Sequence, residues 1–301
     1  MYPYLIVDFG KHFRLGMYDI CLMLGIVACL ALYRVFADRQ KFKAKIQNFA
    51  LFVAMFAIGG GYYAAALVQT FYNWKAALGT AQEKPFWEFW GTGATFYGGL
   101  VGGVLIFLVL YFGVGALLFK KQEHIHHFFP IAHIAGAIIP LAHGIGRLGC
   151  LFAGCCHGTE TPQPQWYTVT FIRFVEKNGE LVKENFNAVP VQLYEALFLF
   201  ALAAILIWRV LKNKHYNLST YSIAYGVWRF FAEYLRADSR GQGIIPFLTP
   251  SQQTALLLIA AGIGVIFVEK YVRRYTARVI AQNEAVQPPM EEQNEQAPSE
   301  P

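Results

Sequence analysis

Charge is scarce in this sequence. Lys, Arg, Asp and Glu make up 15% of its 301 residues, against roughly 25% in soluble domains. The shortfall excludes an ordinary soluble globule. With 56% hydrophobic residues it also excludes a disordered chain and a nucleic-acid-binding module. Missing too are an internal repeat of solenoid type, a nucleotide-binding glycine loop beside a strand, and the paired Cys-x-x-Cys units of a zinc ribbon. The expectation is therefore no cofactor, no metal and no nucleic-acid partner. The formal charge of +6 is accounted for by basic loops that flank membrane segments.

What the chain does have is apolar runs. Seven stretches, roughly 17–36, 49–71, 96–118, 128–147, 190–209, 218–236 and 251–269, can each cross ~30 Å of hydrocarbon at ~1.5 Å per helical residue. Basic residues follow the odd-numbered runs: Arg34, Arg39, Lys41, Lys43 and Lys45, then Lys120 and Lys121, then Arg209, Lys212 and Lys214, then Lys270, Arg273, Arg274 and Arg278. The positive-inside rule puts these ends in the cytoplasm. The predicted fold class is an all-α integral membrane protein with seven transmembrane helices, an outside N-terminus, a cytoplasmic C-terminus and ordered outer loops. The first run, with its basic cluster behind it, reads as a retained anchor. Residues 166–171 look strand-like, with a turn at Lys177-Asn178-Gly179. The membrane domain is expected to span 1–278, with a disordered acidic tail at 279–301.

Ionisable groups inside a span are costly, so each marks a candidate site. In the sixth run Arg229 and Glu233 stand at i, i+4 and Arg236 at i+7, which places all three on one helix face. They are either a self-neutralising buried pair or a guanidinium held ready for a phosphate. The fourth run ends His143-Gly144-Ile145-Gly146-Arg147-Leu148-Gly149-Cys150. Its Arg either complements a helix dipole or clamps a lipid head group. Glu195 lies one turn inside the fifth run, which opens Pro190-Val191-Gln192-Leu193-Tyr194, and it needs a partner. The third run opens Phe96-Tyr97-Gly98-Gly99-Leu100. Its glycines point to close helix packing, and Tyr97 is either an interfacial residue or faces a cavity.

Of five cysteines, Cys21 and Cys29 lie in the first run as small apolar fillers. Cys150, Cys155, Cys156 and His157 cluster. A disulfide, structural thiols, a functional thiol and a metal site all remain open for that cluster, the metal being the weakest of these readings.

These motifs resemble those of the prolipoprotein diacylglyceryl transferase family. The resemblance covers about residues 3–275. Its signature, Gly-Arg-x-Gly-Asn-Phe-x-Asn-Gly-Glu followed by Gly, reads here Gly146-Arg147-Leu148-Gly149-Cys150-Leu151-Phe152-Ala153-Gly154-Cys155, with Gly158 after it. Pro190 to Glu195 match the Pro-x-Gln-Leu-Tyr-Glu motif, and Arg229, Glu233 and Arg236 match Arg-x-x-x-Glu-x-x-Arg. Phe96 to Leu100 match Phe-His-Gly-Gly-Leu with Tyr97 in place of His, and Tyr18 stands where the family has a first-span Tyr.

The resemblance implies an enzyme of the bacterial cytoplasmic membrane with its site toward the outer leaflet. It would move the diacylglyceryl group of phosphatidylglycerol to the lipobox cysteine in a prolipoprotein signal peptide, the first step of lipoprotein maturation. It implies catalytic roles for Arg147, Arg229, Glu233 and Tyr97. It implies substrate contacts from Arg147, Arg229, Arg236, Tyr18, Gly98, Gly99, Gly149, Gly158, Gln192, Tyr194 and Glu195. A Tyr of pKa ~10 is a poor base unless a cation lowers it. His143, one helical turn before Arg147, is therefore a substitute base, and Cys150, Cys155 and Cys156 form a candidate thiol site. The alternatives are a diverged member acting on another thiol or phospholipid, and a non-catalytic lipid-binding membrane protein.

Overall fold

The computed structural model describes residues 4–8, 14–91, 93–120, 123–177, 180–236 and 245–286. A short antiparallel pair, β1 (Tyr4–Asp8) and β2 (Arg14–Gly16), leads into α1 (Met17–Arg39). The backbone N–H of Gly16 donates to Asp19 Oδ2 at 2.9 Å, which fixes the start of α1 and gives this carboxylate a capping role. Then come α2 (Ala44–Ala77), α3 (Phe96–Val109), a π-turn over Leu110–Val114, the single turn α4 (Gly115–Leu118) and α5 (Glu123–Ala153). Beyond α5 lie β3 (Glu160–Thr161), β4 (Val169–Lys177) and β5 (Glu180–Ala188), and then α6 (Val191–Leu211), α7 (Asn217–Ala232) and α8 (Pro250–Val286). The strands form an antiparallel sheet in the order β3-β5-β4, in the loop where the sequence is strand-like. Of the expected turn, Asn178 and Gly179 lie outside the described residues.

Among the described residues, six helices are long and apolar enough to cross a membrane. The expected sixth run is α7. At 16 residues it rises about 24 Å, short of the ~30 Å hydrocarbon layer. One 3₁₀ turn, Glu233–Leu235, continues it. This turn corrects the shared face expected of Arg229, Glu233 and Arg236. The α-helix ends at Ala232, Arg229 and Glu233 keep their i,i+4 pairing across the junction, and Arg236, extended at φ −101° and ψ 145°, leaves their face. A second correction concerns the tail. α8 runs to Val286, past the expected boundary at 278. Pro288 and Pro289 follow in the sequence, and the residue before a proline disfavours helix. Residues 287–301 lie outside the described residues.

The main apolar cluster joins the C-terminal half of α1 (Tyr33, Phe36), the first turns of α2 (Phe49, Val53), Tyr111 of the π-turn, Ile134 of α5 and Leu206 of α6. Tyr111 is fully buried, and its hydroxyl donates to the His124 carbonyl at 2.7 Å. Arg34 donates to Gln47 and Asn48 on the neighbouring helix, which makes it a structural cation. All of this lies at one end of the bundle. A smaller cluster of Leu151, Phe171, Phe186 and Ala188 seats the β-sheet on the other end.

α2 and α3 meet along a glycine seam. A Cβ placed on Gly61 would stand 2.9 Å from the Gly99 carbonyl, one on Gly98 would stand 2.8 Å from Val68 Cβ, and one on Gly102 would overlap Ala64. In hydrocarbon, where water does not drive helices together, such close backbone approach supplies the contact energy. Gly98 and Gly99 are thus placed in helix packing. Gly61→Val is expected to cost about 1–3 kcal/mol by overpacking. Gly59→Val, whose Cβ would meet nothing within 4 Å, should change stability by less than about 0.5 kcal/mol. Thermal unfolding in detergent distinguishes the two.

Candidate active site

The ionisable candidates Arg147, Glu195, Arg229 and Glu233 collect at the end of the bundle opposite the main apolar cluster, where α5 and α7 end and α6 and α8 begin. Glu195, in the second turn of α6, is fully buried. One carboxylate oxygen lies 3.1 Å from Arg147 Nε of α5 and accepts the Tyr225 hydroxyl of α7 at 2.8 Å. The same oxygen is 3.9 Å from His143 Nε2, while His143 Nδ1 stands 3.1 Å from the Tyr221 hydroxyl. The His143 ring packs edge-on to Tyr225 at 4.7 Å. The partner that Glu195 requires is therefore Arg147, one turn beyond His143 on the same helix face. Gly144 lets α6 come this close, since a Cβ there would stand 2.7 Å from the Phe200 ring.

A second ion pair lies alongside. Arg229 and Glu233 are both buried, with NH2 to Oε2 at 2.7 Å. Arg229 NH2 also donates to Ser251 Oγ at 2.9 Å, and Thr249 Oγ1 donates to Glu233 Oε1 at 2.9 Å. The start of α8 thus holds the pair from outside α7. Arg229 NH1 is buried and has no hydrogen-bond partner among the described residues, as is true of Glu195 Oε2 and His143 Nε2. Tyr221, Tyr225 and Thr249 escaped the sequence reading, whereas Ser251 lies in Pro250-Ser251-Gln252-Gln253, which resembles the family's Ser/Thr-x-Gln start of the last span. The spacing of the two tyrosines, one turn apart and in line with Arg229, was the signal that they share its face.

The signature segment closes α5 with a defined cap. Gly154 adopts φ +72°, its N–H donates to the Leu151 carbonyl at 3.2 Å, and the Cys155 N–H donates to the Cys150 carbonyl at 3.1 Å. This is a Schellman motif, and it folds Cys155 back over Cys150. Cys156 follows with φ 62°, a left-handed conformation that costs a non-glycine residue about 1–2 kcal/mol. The three sulfurs lie within 4.8 Å of one another. Hydrogen bonds from the Cys150 and Cys155 thiols, together with nearby Arg236 and Arg147, pull the Cys156 thiol below its ordinary pKa. Arg236 thus reaches the site although it is off the α7 face.

Gly149 packs on α1, where a Cβ would lie 3.0 Å from Cys21 Cβ and 3.3 Å from Tyr18 Cα. This brings Tyr18 beside the thiols and Arg147. Gln192 is fully buried and donates to the Cys155 carbonyl at 2.9 Å. Gly158 fits under Leu235, whose carbonyl a Cβ would overlap. The Tyr194 hydroxyl points outward and donates to the Tyr167 carbonyl at 3.1 Å, tying α6 to the sheet loop. Tyr97 has its backbone in the first turn of α3, and its side chain lies outside the described residues.

Two cavities lie elsewhere. One of about 660 Å³ is bordered by Tyr62, Tyr63 and Trp90 beside α2. One of about 320 Å³ at the far end is bordered by Arg39, Lys41, His133 and His215. There His133 Nε2 lies 3.0 Å from Glu269, and the Asn217 N–H meets His133 Nδ1 at 3.4 Å. With both ring nitrogens engaged, this cluster braces α5, α7 and α8.

The sequence model of prolipoprotein diacylglyceryl transferase matches residues 5–268. The chain belongs to that family. It is a multi-pass membrane protein and a transferase. Among its relatives is "Phosphatidylglycerol--prolipoprotein diacylglyceryl transferase 2" of Clostridium perfringens, 29% identical over 84% of this chain and 91% of the relative. The phosphatidylglycerol--prolipoprotein diacylglyceryl transferase of Clostridium tetani is 28% identical over 90% and 99%, and that of Coxiella burnetii 27% over 83% and 91%.

Breaking a buried ion pair strands a charge, at about 3–5 kcal/mol. Glu195→Gln is therefore expected to lower the unfolding temperature markedly. Adding Arg147→Met to Glu195→Gln should recover part of the loss. A double-mutant cycle by thermal unfolding in detergent measures the coupling.

Proposed function

We propose that this protein transfers the diacylglyceryl group of phosphatidylglycerol to the lipobox cysteine of a prolipoprotein signal peptide, at the outer leaflet of the bacterial cytoplasmic membrane. In this reading α7 completes a seventh crossing with its 3₁₀ turn, the N-terminus is outside, and the basic ends of α1, α6 and α8 are cytoplasmic. The observation that carries the function is the buried Arg229 NH1 without a partner among the described residues, in a site that already neutralises two carboxylates with two guanidiniums. A buried donor left open at a membrane-embedded cation is matched by an anionic oxygen, and a phosphodiester supplies one.

The reaction forms a thioether and releases glycerol phosphate. Its barrier falls when the acceptor is a thiolate and when the departing phosphate is stabilised. Arg229, held by Glu233 and Ser251, takes the phosphate. Arg147, held by Glu195, adds a second cation beside the leaving group. His143 takes the thiol proton. With Nδ1–H donating to Tyr221, its Nε2 carries the free lone pair, and Glu195 stands ready to stabilise the imidazolium.

The test is peptide mass gain by diacylglyceryl when purified protein is reconstituted with phosphatidylglycerol and a lipobox peptide. Arg229→Lys keeps the charge and loses the planar fork, and it is expected to lower turnover at least about 100-fold, the scale of one lost transition-state donor. His143→Gln should lower it by a similar factor and abolish the acidic limb of the pH profile. No transfer by folded wild-type protein would sink the reading, and full turnover in His143→Gln would remove that residue from the proton path.

A further inference from the structure

The three sulfurs beside the arginines have no part in the scheme above. We propose that Cys150, Cys155 and Cys156 form a three-thiolate Zn²⁺ site whose open fourth position takes the acceptor thiol. This deepens the transferase reading and rests on it for the identity of that thiol.

Three features of the cluster point to a metal. The first is convergence. The sulfurs lie within 4.8 Å of one another, while Zn–S bonds of about 2.3 Å in a tetrahedron set sulfurs roughly 3.8 Å apart, so closure needs shifts of less than about 1 Å. The second is the backbone. The Schellman cap turns Cys155 back toward Cys150, and Cys156 is held at φ 62°. Strain of this kind persists where the surroundings impose it and gathers at ligand clamps. The third is the arrangement of exposure. Cys150 is buried, Cys156 half-buried and Cys155 exposed, so the cluster is closed on the protein side and open on the other. Three protein ligands with one free position is the pattern of a catalytic zinc site, and a structural site would be closed by four.

His157 does not complete the set. Its Nδ1 lies 3.0 Å from the Gly158 carbonyl, and its ring packs on Phe186 at 4.8 Å. Three thiolates on Zn²⁺ leave one net negative charge, and the Arg236 and Arg147 guanidiniums lie near Cys156, in a field that favours thiolates.

The chemistry fits thioether formation. A thiol bound to Zn²⁺ is deprotonated outright yet remains nucleophilic. The acceptor thiol would lose its proton on coordination, by way of His143. Its sulfur forms a bond to the terminal glyceryl carbon as the carbon–oxygen bond to phosphate breaks. The electron pair leaves on glycerol phosphate, which also carries away the proton. Zinc changes neither oxidation state nor number, so no further reactant is needed.

The experiment uses full-length protein in nanodiscs under reducing conditions, loaded with Zn²⁺ or Co²⁺ alone. Elemental analysis is expected to give one metal per chain. X-ray absorption of the zinc form should show three sulfurs at about 2.3 Å. The cobalt form should show a thiolate charge-transfer band that survives Cys21→Ser with Cys29→Ser and disappears when Cys150, Cys155 and Cys156 are all Ser. Adding a lipobox peptide should raise that band by about one third, as three sulfurs become four, and a peptide with Ser for Cys should leave it unchanged. Metal absent from folded protein, a disulfide joining two of the three thiols in protein isolated from membranes, or metal retained by the triple Ser variant each overturn the proposal. Undiminished transfer by the triple variant overturns it while leaving the transferase intact. The cobalt signature and its response to peptide, in protein that transfers nothing, keep the thiolate site and discard the transferase.

Discussion

A cation deep in a helix bundle must be answered by an anion, and here the answer to Arg147 is Glu195. The carboxylate is fully buried and holds one oxygen against Arg147 and the Tyr225 hydroxyl, with His143 just beyond hydrogen-bond distance. That single oxygen joins α5, α6 and α7. Around it the remaining groups take their places: Tyr221 behind His143, and Arg229 on the next turn of α7 from Tyr225 with α8 locking it in place. In low dielectric neither member of the pair persists without the other, so the bundle holds its register at this end through charge. At the opposite end it does so through Tyr33, Phe49, Tyr111 and Leu206.

Much of this was legible in the sequence, and what was legible follows one rule. Groups expensive to bury announce themselves. Arg147, Glu195, Arg229 and Glu233 stood out because hydrocarbon penalises them, and all four are at the site. The pairing of Arg147 with Glu195 was not legible, since it depends on how α5 and α6 cross, a relation between segments 48 residues apart. Tyr221 and Tyr225 were missed because tyrosine carries little penalty in a span, so nothing distinguished them from the other tyrosines of the chain.

The errors in the fold have the same origin. Local periodicity reports where a helix can run, and it does not report where tertiary contacts end it. The backbone of Leu235 accepts the Thr159 N–H at 3.3 Å and covers Gly158, so the end of α7 is drawn into a 3₁₀ turn and Arg236 leaves the face that a continuous helix would give it. The cysteine cluster was left open among several readings because the folding back of Cys155 onto Cys150 is a property of the cap, signalled only by Gly154. The proposed metal site, the weakest of those readings in the sequence, rests on the geometry that this cap creates.

The glycine seam has a mechanical consequence. α2 joins the main apolar cluster through its first turns, Ile46 to Val53, and α3 joins it through the π-turn at its far end. Beyond that point each helix packs chiefly on the other, Gly61 against Gly99 and Ala64 against Gly102. The two helices form a blade anchored at the tip distant from the arginines. A blade clamped at one tip is held by fewer other helices at its free tip, on the side of the arginines.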